Sequence, residues 1–324
     1  MPVQPEIASS SEVRSENLEQ HRRELTGYCY RMLGSFFEAD DAVQETMVRA
    51  WRGIDGFEGR SALRSWLYRI ATNVCLDFLR GRERRALPLD LGPSSTADAT
   101  LGPKLPEHTW VQPIPDGRAL PEDDPAEVAV ARETIRLAFI TALQCLPARQ
   151  RAVLILREVL RWQATEVAEL LETSVASVNS ALQRARTTLA ARDLDAAPRP
   201  VVNPDQQALL ARYVDAFERY DINQLVTLLH DDAVMSMPPY DLWLRGPVEM
   251  GRWFLGKGCG CRGSRLVPTA ANGCAAFGSY RPDGQGGFQP FALQVIEISG
   301  DRIVGHHNFL DTTLFAAFGL PARL

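Results

Sequence analysis

The chain has 324 residues, of which 45% are hydrophobic and 23% charged, and its net charge is −5. This composition is typical of a folded protein, no run approaches the roughly 18 apolar residues of a membrane span, and the polar, charged N-terminal stretch is unlike a signal peptide. Six cysteines without a CxxC pair argue against a disulfide framework or a zinc site, so we expect reduced thiols in a cytoplasmic protein without a metal or other cofactor.

Charge is unevenly distributed along the chain. Residues 20–86 carry 12 basic against 9 acidic residues, and residues 145–192 carry 7 against 4, so each segment has a charge of +3. Residues 87–130 carry 2 basic and 8 acidic residues, a charge of −6. Because attraction to phosphate is a local effect, the two basic segments could bind nucleic acid although the whole chain is acidic.

Periodicity and proline content divide the first two thirds of the chain. After a flexible N-terminus at 1–19, apolar residues at helical spacing and the absence of proline predict a helical domain over 20–85. Residues 86–126 hold 8 of the 21 prolines, which indicates an acidic linker and not a domain. A second helical domain over 127–192 follows, and a short linker at 193–202 ends this part.

The remaining segment, 203–324, has a different pattern. Two amphipathic helices precede several strand-like runs, and the last two runs are separated by the turn signal Ser299-Gly300-Asp301. Helices followed by a meandering antiparallel sheet indicate an α+β domain. The predicted strands are 233–237, 265–269, 273–280, 288–298 and 302–310.

The run RWQATEVAELLETSVASVNSALQRAR over 161–186 predicts two short helices joined by a turn. Ser174 is a good N-cap for the second helix. Glu172 lies where such motifs often have glycine, and a positive φ there would cost about 1 kcal/mol. One face of the second helix is apolar, and the other presents side chains that fit base edges and phosphates in a major groove, although a solvated helix pair would look similar. The candidate DNA contacts are Asn179, Ser180, Gln183, Arg184 and Arg186.

Two further runs lie in the first helical segment. DDAVQETMVRAW begins at Asp40, and SWLYRIATNVCLDFLR begins at Ser65. Together with the run over 161–186, they resemble regions two and four of the extracytoplasmic-function sigma factors of bacterial RNA polymerase, in the right order. The resemblance implies a non-enzymatic protein that binds core RNA polymerase and promoter DNA and directs promoter-specific transcription initiation. A plain DNA-binding regulator that does not bind polymerase is the alternative, against which the DDAVQETMVRAW run argues.

The resemblance also implies roles for particular residues. The clamp of the polymerase would be contacted by Asp41, Gln44 and Glu45. The downstream (minus-ten) promoter element would be contacted by Trp66, Arg69, Asn73 and Arg80, and the loop over 53–61 would capture a flipped base. From the residues alone, Trp66 could be a core residue, and for Leu67 and Ile70 we favour the core.

The linker over 86–126 has to connect two promoter-binding parts. As a random coil, a chain of this length would span only about 35 Å, whereas two promoter elements on one face of the DNA lie about 70 Å apart. We therefore expect a stretched linker, which its prolines favour. The resemblance implies that it threads through the polymerase cleft.

The segment over 203–324 extends beyond region four. It resembles a SnoaL-like, nuclear-transport-factor-two-like cone, in which helices wrap a curved sheet around a pocket, as in sigma factors that carry such an extension; the resemblance includes Asn272-Gly273-Cys274-Ala275-Ala276. Since its link to the helical part is short, its effective concentration there is high. We expect it to pack on the helical domains, to bias their arrangement and so to regulate activity.

The alternative for this C-terminal part is a ligand-binding or enzymatic domain. Candidate general bases are His306, His307, Asp311, Asp241 and Tyr280. His306 and His307 alternate along a predicted strand, so only one of them would face inward. A pocket for a small-molecule ligand, whose identity is unknown, could be lined by Trp243, Trp253, Phe291 and His307, although the aromatic side chains could equally fill it.

Overall fold

The structure of the protein is a computed structural model that describes residues 18–57, 62–121, 125–191 and 204–324. None of the described helices is long and apolar enough to cross a membrane. The α-helices are α1 (Arg22–Leu33), α2 (Phe36–Gly53), α3 (Leu63–Phe78), α4 (Asp116–Ala119), α5 (Pro125–Ile135), α6 (Leu137–Gln144), α7 (Ala148–Leu154), α8 (Ala164–Leu170), α9 (Val175–Ala190), α10 (Pro204–Glu218), α11 (Ile222–Thr227), α12 (Gly246–Leu255) and α13 (Leu314–Ala317). The strands are β1 (Leu229–Ser236), β2 (Trp243–Arg245), β3 (Arg265–Ala271), β4 (Cys274–Pro282), β5 (Phe288–Ser299) and β6 (Arg302–Phe309).

Helices α1 to α3 form the first helical unit, as the sequence predicts for this segment. Gly34 ends α1 with a φ of 71°, which glycine adopts without steric strain. The Ser35 side chain then caps α2 by accepting a hydrogen bond from the backbone N–H of Glu38 at 3.3 Å. Leu67 of α3 is fully buried, as favoured from the sequence, and Ile70 is half-buried against the same core.

Helices α5 to α9 form the second helical unit, in which α8 and α9 make the expected helix–turn–helix. Ser174 caps α9 by accepting a hydrogen bond from the N–H of Ser177 at 3.1 Å. Glu172 in the turn has a φ of 50°, the left-handed conformation whose cost the sequence analysis weighed for this position. The side of α9 that faces the unit buries Val178, Ala181, Leu182 and Ala185. A π-helix at Ile155–Val159 was not predicted.

Strands β1 to β6 and helices α10 to α13 form the C-terminal cone, and the α+β class is confirmed. The strand order is β2-β1-β6-β5-β4-β3. The run from β3 to β6 is the predicted antiparallel meander. The expectation of an antiparallel sheet is wrong at one place, because β1 pairs with β6 in parallel. The end of the meander returns beside the first strand, and no local sequence pattern encodes that long-range pairing.

Two hydrophobic clusters hold these parts together. One lies inside the cone, between the sheet and α10 to α12. The other runs through both helical units and on to the opposite face of the sheet. Ile296 belongs to the first cluster, whereas Leu293 and Val295 belong to the second, as expected for side chains that alternate along β5. The cone therefore shares a continuous core with the helical units.

The segment that follows α3 folds back on the protein. Ala86 and Trp110 form a parallel β-bridge, so residues 87–109 make a closed loop. On the cone, the N–H of Ser95 in this loop donates to the carbonyl oxygen of Trp243 at 2.8 Å. In this structure the described part of the segment is thus not stretched, because its backbone groups pair with neighbouring parts of the chain. The stretched form across a promoter stays a prediction.

The two outermost linking segments lie outside the described residues in whole or in large part. The short link predicted over 193–202 lies outside the described residues, which end after α9 at Ala191 and resume at Pro204. The flexible N-terminus predicted over 1–19 is described only from Leu18, which is buried.

The turn residue Glu172 gives a test of the helix–turn–helix geometry. We expect Glu172→Gly to raise the free energy of unfolding by about 1 kcal/mol, because glycine adopts a positive φ without the Cβ clash. Denaturant titration of the two proteins measures this difference. Glu166→Gly, within the first turn of α8, is a contrasting variant that should destabilise, because it places glycine in a helix and also removes the carboxylate that accepts from the N–H of Gln163. An unchanged or lower stability of Glu172→Gly would contradict the turn conformation.

Candidate nucleic-acid interface

The middle of α2 presents a polar face to solvent. Asp41 and Gln44 are exposed, and the half-exposed Glu45 pairs with Arg49 at 2.6 Å between Oε1 and Nε. The spacing of three and four residues places these side chains on one side of the helix. The structure therefore brings the three predicted polymerase-contacting residues together.

Trp51 lies at the end of this face and was not predicted as a site residue. Its side chain is 63% exposed, which is unusual for a tryptophan. An exposed, large aromatic side chain beside charged residues is typical of a protein interface. The signal was present in the sequence, since Trp51 follows Gln44 by seven residues and so returns to the same side of the helix.

Helix α3 carries the residues predicted for the downstream promoter element. Asn73 is exposed, and Arg80, beyond the helix end, is 81% exposed and pairs with Asp77 at 3.1 Å. Trp66 is half-buried, and its ring centroid lies 5.1 Å from that of Phe57. Its indole therefore has the packing role that the sequence also allowed. The structure describes the predicted base-capturing loop only from Gly53 to Phe57.

Part of α3 is covered by the second helical unit. The Arg69 guanidinium lies 3.6 Å from the Glu169 carboxylate of α8. The ring of Trp162, just before α8, lies 5.1 Å from that of Tyr68, and Arg64 lies over the Trp162 ring at 5.8 Å. One predicted DNA contact, Arg69, is thus held against the second helical unit.

The outer side of α9 is open. Asn179, Ser180, Gln183 and Arg184 are all exposed, and their spacing places them on adjoining rows of the helix surface. Arg186 is also exposed, but it pairs with Glu158 of the π-helix. The first four side chains are therefore accessible to a DNA groove. Arg186 would have to break its ion pair with Glu158 before it could contact DNA.

The inside of the cone holds a buried polar network. The Tyr213 hydroxyl lies 2.8 Å from Nε2 of His306 and donates to Oε1 of Gln294 at 2.7 Å. The rings of Phe217 and Phe254 lie 6.5 and 6.0 Å from the His306 ring. Burial lowers the pKa of His306 to about 3, so this imidazole is neutral near pH 7 and would be a weak base. His306 has the properties of a satisfied core residue.

The four residues predicted to line a pocket lie in different surroundings. The Trp243 indole donates to Gly92 O of the folded-back segment at 2.9 Å. Trp253 is buried in the cone core, and the Phe291 ring is covered by a guanidinium group. His307 faces the side of the sheet opposite His306, because neighbouring strand residues point in opposite directions.

His307 instead joins a cluster at the contact with the second helical unit. Its Nδ1 lies 2.8 Å from the Ser236 hydroxyl, and its Nε2 lies 3.7 Å from the Glu297 carboxylate. The same carboxylate lies 3.8 Å from Arg136 at the start of α6. Tyr280, another predicted candidate base, is buried and donates to Pro321 O. Within the described ranges, no group of three or more His, Cys, Asp or Glu side chains could hold a metal ion.

Comparison with known proteins agrees with this arrangement. The family model Sigma-70 region 2 matches residues 18–85, and Sigma-70, region 4 matches residues 136–189. The chain is 46% identical over 316 residues to the ECF RNA polymerase sigma factor SigG of Mycobacterium tuberculosis, covering 96% of this chain and 84% of SigG. It is 32% identical over 161 residues to SigW of Bacillus subtilis, covering 50% of this chain and 78% of SigW.

The fold as a whole also has a solved counterpart. The crystal structure of the M. tuberculosis extracytoplasmic function sigma factor SigJ matches with a TM-score of 0.59 at 22% identity, covering 95% of this chain and 99% of SigJ. Because that coverage includes the cone, the likeness concerns all three parts of the fold.

Proposed function

Because the chain belongs to the ECF sigma factors of RNA polymerase, we propose that its C-terminal cone regulates initiation by holding the two helical units together. In this family the chain binds core RNA polymerase and promoter DNA and directs promoter-specific transcription initiation. It serves as a transcription factor and not as an enzyme, and it would act in the cytoplasm together with the polymerase.

The two helical units supply the contacts for this work. The exposed face of α2 would dock on the polymerase through Asp41, Gln44 and Glu45, and its neighbour Trp51 would add apolar area to the contact. The face of α3 would bind the downstream promoter element. The open side of α9 would enter the major groove of the upstream element, where exposed amide and guanidinium groups can make bidentate contacts with bases.

The observation that carries the regulatory proposal is the hairpin between β3 and β4. Its tip residue, Asn272, is fully buried. The side-chain amide donates to the Tyr30 hydroxyl of α1 at 2.7 Å and to Ile135 O of α5 at 2.5 Å, and its oxygen accepts from the N–H of Ile114 at 3.0 Å. One side chain of the cone thus bonds to the first helical unit, the second helical unit and the segment between them.

The next residue, Gly273, extends this contact. Its N–H donates to the Asp116 carboxylate at 2.8 Å. A Cβ atom at this position would lie 3.0 Å from Arg132 O, and the φ is 71°, so glycine meets both the steric and the conformational requirement. The close approach of the hairpin to α5 therefore depends on this residue.

The compact arrangement conflicts with simultaneous binding of two promoter elements. Such elements lie about 70 Å apart when separated by two helical turns, whereas α3 and α8 are in contact through Arg69 and Glu169 at 3.6 Å. The units have to separate before both can bind. The cone contacts oppose that separation, and this is the basis for regulation by the C-terminal part.

The first prediction of this proposal concerns the upstream groove. We expect Arg184→Ala to lower promoter binding by about 1–3 kcal/mol if the guanidinium makes a bidentate base contact, while core polymerase binding persists. In vitro transcription and a polymerase pull-down measure the two effects. Arg219→Ala, an exposed arginine on the cone, is the matched control. Full promoter use by the Arg184 variant would remove this assignment.

The second prediction concerns the polymerase face of α2. Reversing Asp41 and Glu45 to Lys should abolish holoenzyme assembly. The new positive charges would repel the polymerase surface that the two acidic side chains are proposed to contact. The folded state should survive, since both side chains are on the surface. Reversal of the exposed pair Asp205 and Asp215 on α10 is the control. Gel filtration of core polymerase with each variant measures holoenzyme assembly. Normal assembly by the variant with Asp41 and Glu45 reversed would refute the proposed docking face.

The third prediction isolates the hairpin contact. Asn272→Gly removes the side-chain amide, and glycine still adopts the φ of 54° found at this position. We expect the compact arrangement to lose about 1–3 kcal/mol, so the radius of gyration in solution scattering and promoter-directed transcription at limiting protein should both increase. Gly300→Asn, in the open β5–β6 turn where φ is 58°, is the control. Unchanged scattering and unchanged transcription in Asn272→Gly would refute regulation through the hairpin.

A further inference from the structure

The turn after α12 carries two cysteines that the function above does not use. Lys257–Cys261 is a 3-10 turn in which Gly260 separates Cys259 from Cys261. Cys259 is exposed and Cys261 is half-buried, and both are free thiols. In a 3-10 geometry, residues two apart have Cα atoms roughly 5 Å from each other, which is within the range that a disulfide spans.

The surroundings give the two thiols different properties. Nη2 of Arg281 donates to Sγ of Cys261 at 3.6 Å. The Arg281 guanidinium lies 3.1 Å from the centre of the Phe291 ring. A Cβ atom on Gly260 would lie 3.3 Å from Nη2 of the same guanidinium. Burial raises the pKa of Cys261, and Arg281 acts in the opposite direction. The exposed Cys259 is therefore the thiol that reacts first with a molecule from solution, and Cys261 is placed to follow.

We propose that Cys259 and Cys261 form a reversible regulatory disulfide by exchange with a low-molecular-weight disulfide. The Cys259 thiolate attacks one sulfur of that molecule, so a mixed disulfide forms and one small thiol leaves. The Cys261 thiolate then attacks Sγ of Cys259, so the intramolecular bond forms and the second small thiol leaves. Two protein thiols are oxidised, one external disulfide is reduced to two thiols, and the two protons pass to the departing thiolates.

The position of the pair makes such a bond easy to reduce again. An exposed disulfide that closes a very small ring is strained, and strained, exposed disulfides have the more oxidising potentials that suit regulation. In a reducing cell, a transient disulfide of this kind reports a change in the thiol balance. Cys29 and Cys75, by contrast, are buried in the first helical unit.

The same turn holds the folded-back segment on the cone. Nζ of Lys257 donates to Asp98 O and Ala99 O, each at 2.8 Å. Gly258 is buried against the Trp253 indole, where a Cβ would lie only 2.6 Å from the ring, so the middle of the turn cannot move inward. Closing the disulfide must then displace the turn outward and strain the Lys257 contacts.

The consequence for transcription rests on the proposed function. Loosening the segment would weaken the compact arrangement, so the oxidised protein would initiate more readily than the reduced one. The disulfide and the release of the segment are measured without polymerase, so their failure is distinguishable from a failure of the regulatory proposal.

The first test is chemical. The full chain is treated with glutathione disulfide, alkylated and digested with trypsin, which cuts after Lys257 and Arg262 and so leaves residues 258–262 as one peptide with both cysteines. We expect this peptide to be unalkylated and lighter by two hydrogens, and to revert with reduced glutathione. A peptide that stays doubly alkylated, or that carries only glutathione adducts, would overturn the proposal.

The second test measures the release of the segment. Lys104 is exposed in the loop on the cone, and limited trypsin cleavage after it should accelerate roughly fivefold on oxidation, because local opening governs cleavage. Cys261→Ser should form the glutathione adduct without the acceleration, and Cys145→Ser should behave like the native protein. Equal cleavage rates in reduced and oxidised native protein would overturn the link between the disulfide and the segment.

Discussion

Three parts of the chain meet at the side chain of Asn272, and each of them loses a buried hydrogen bond if it moves away. The amide is fully buried, and its partners lie at Tyr30, Ile114 and Ile135, which are far apart in the sequence. A buried donor or acceptor that loses its partner costs about 1–3 kcal/mol unless water replaces the partner. The hairpin therefore couples the two helical units and the segment between them through the hydrogen bonds of one side chain.

Two buried arginines strengthen the same arrangement through backbone carbonyl groups. Arg31 donates to Thr134 O at 3.2 Å and to Ala131 O at 3.4 Å, near the end of α5. Arg151 donates to Gln144 O and Leu146 O, each at 3.1 Å, and also to Met32 O. Burial lowers the pKa of each guanidinium to about 10. The carbonyl groups at helix C-termini carry partial negative charge, so these arginines join the helical units through helix ends.

Local features of the fold could be predicted from the sequence, and contacts between distant segments could not. The Ser174 cap and the apolar stripe of α9 depend on neighbours within one or two turns. The parallel pairing of β1 with β6 and the placement of Asn272 depend on residues far away in the chain. Of the candidate site residues, Asp41 could be placed on an exposed face by helical spacing. The contact of Arg69 with Glu169 could not be foreseen, because it exists only when the two helical units meet.

The expectation of a stretched linker is not met in this structure for a related reason. A coil estimate treats proline-rich chain as lacking attractive contacts, and residues 87–109 instead find partners on the cone. The N–H of Ala97 donates to the Glu249 carboxylate at 2.6 Å, and Arg252 pairs with Asp98 at 2.5 Å. The Arg252–Asp98 pair is exposed, so solvent screens it and it holds the segment only weakly, whereas Ala97 is buried in the cone core. The segment is ordered in this structure, and its extension in the polymerase complex stays a prediction.

Opening of the compact form would set weak surface contacts against stronger buried ones. The Arg69–Glu169 pair is partly exposed, with 35% and 73% of the two side chains accessible, so it stabilises the closed form only weakly. Under the proposed function, promoter DNA would offer Arg69 phosphate groups whose contacts release counterions, and the polymerase would offer a docking surface to the exposed face of α2. Against these gains stand the buried contacts of Asn272 and the two arginines, each of a few kcal/mol at most. A shift of about 5.5 kcal/mol moves a two-state equilibrium from 1:99 to 99:1, so under the proposed regulation the loss of one such contact would shift the populations in part, and the loss of several would change which form predominates.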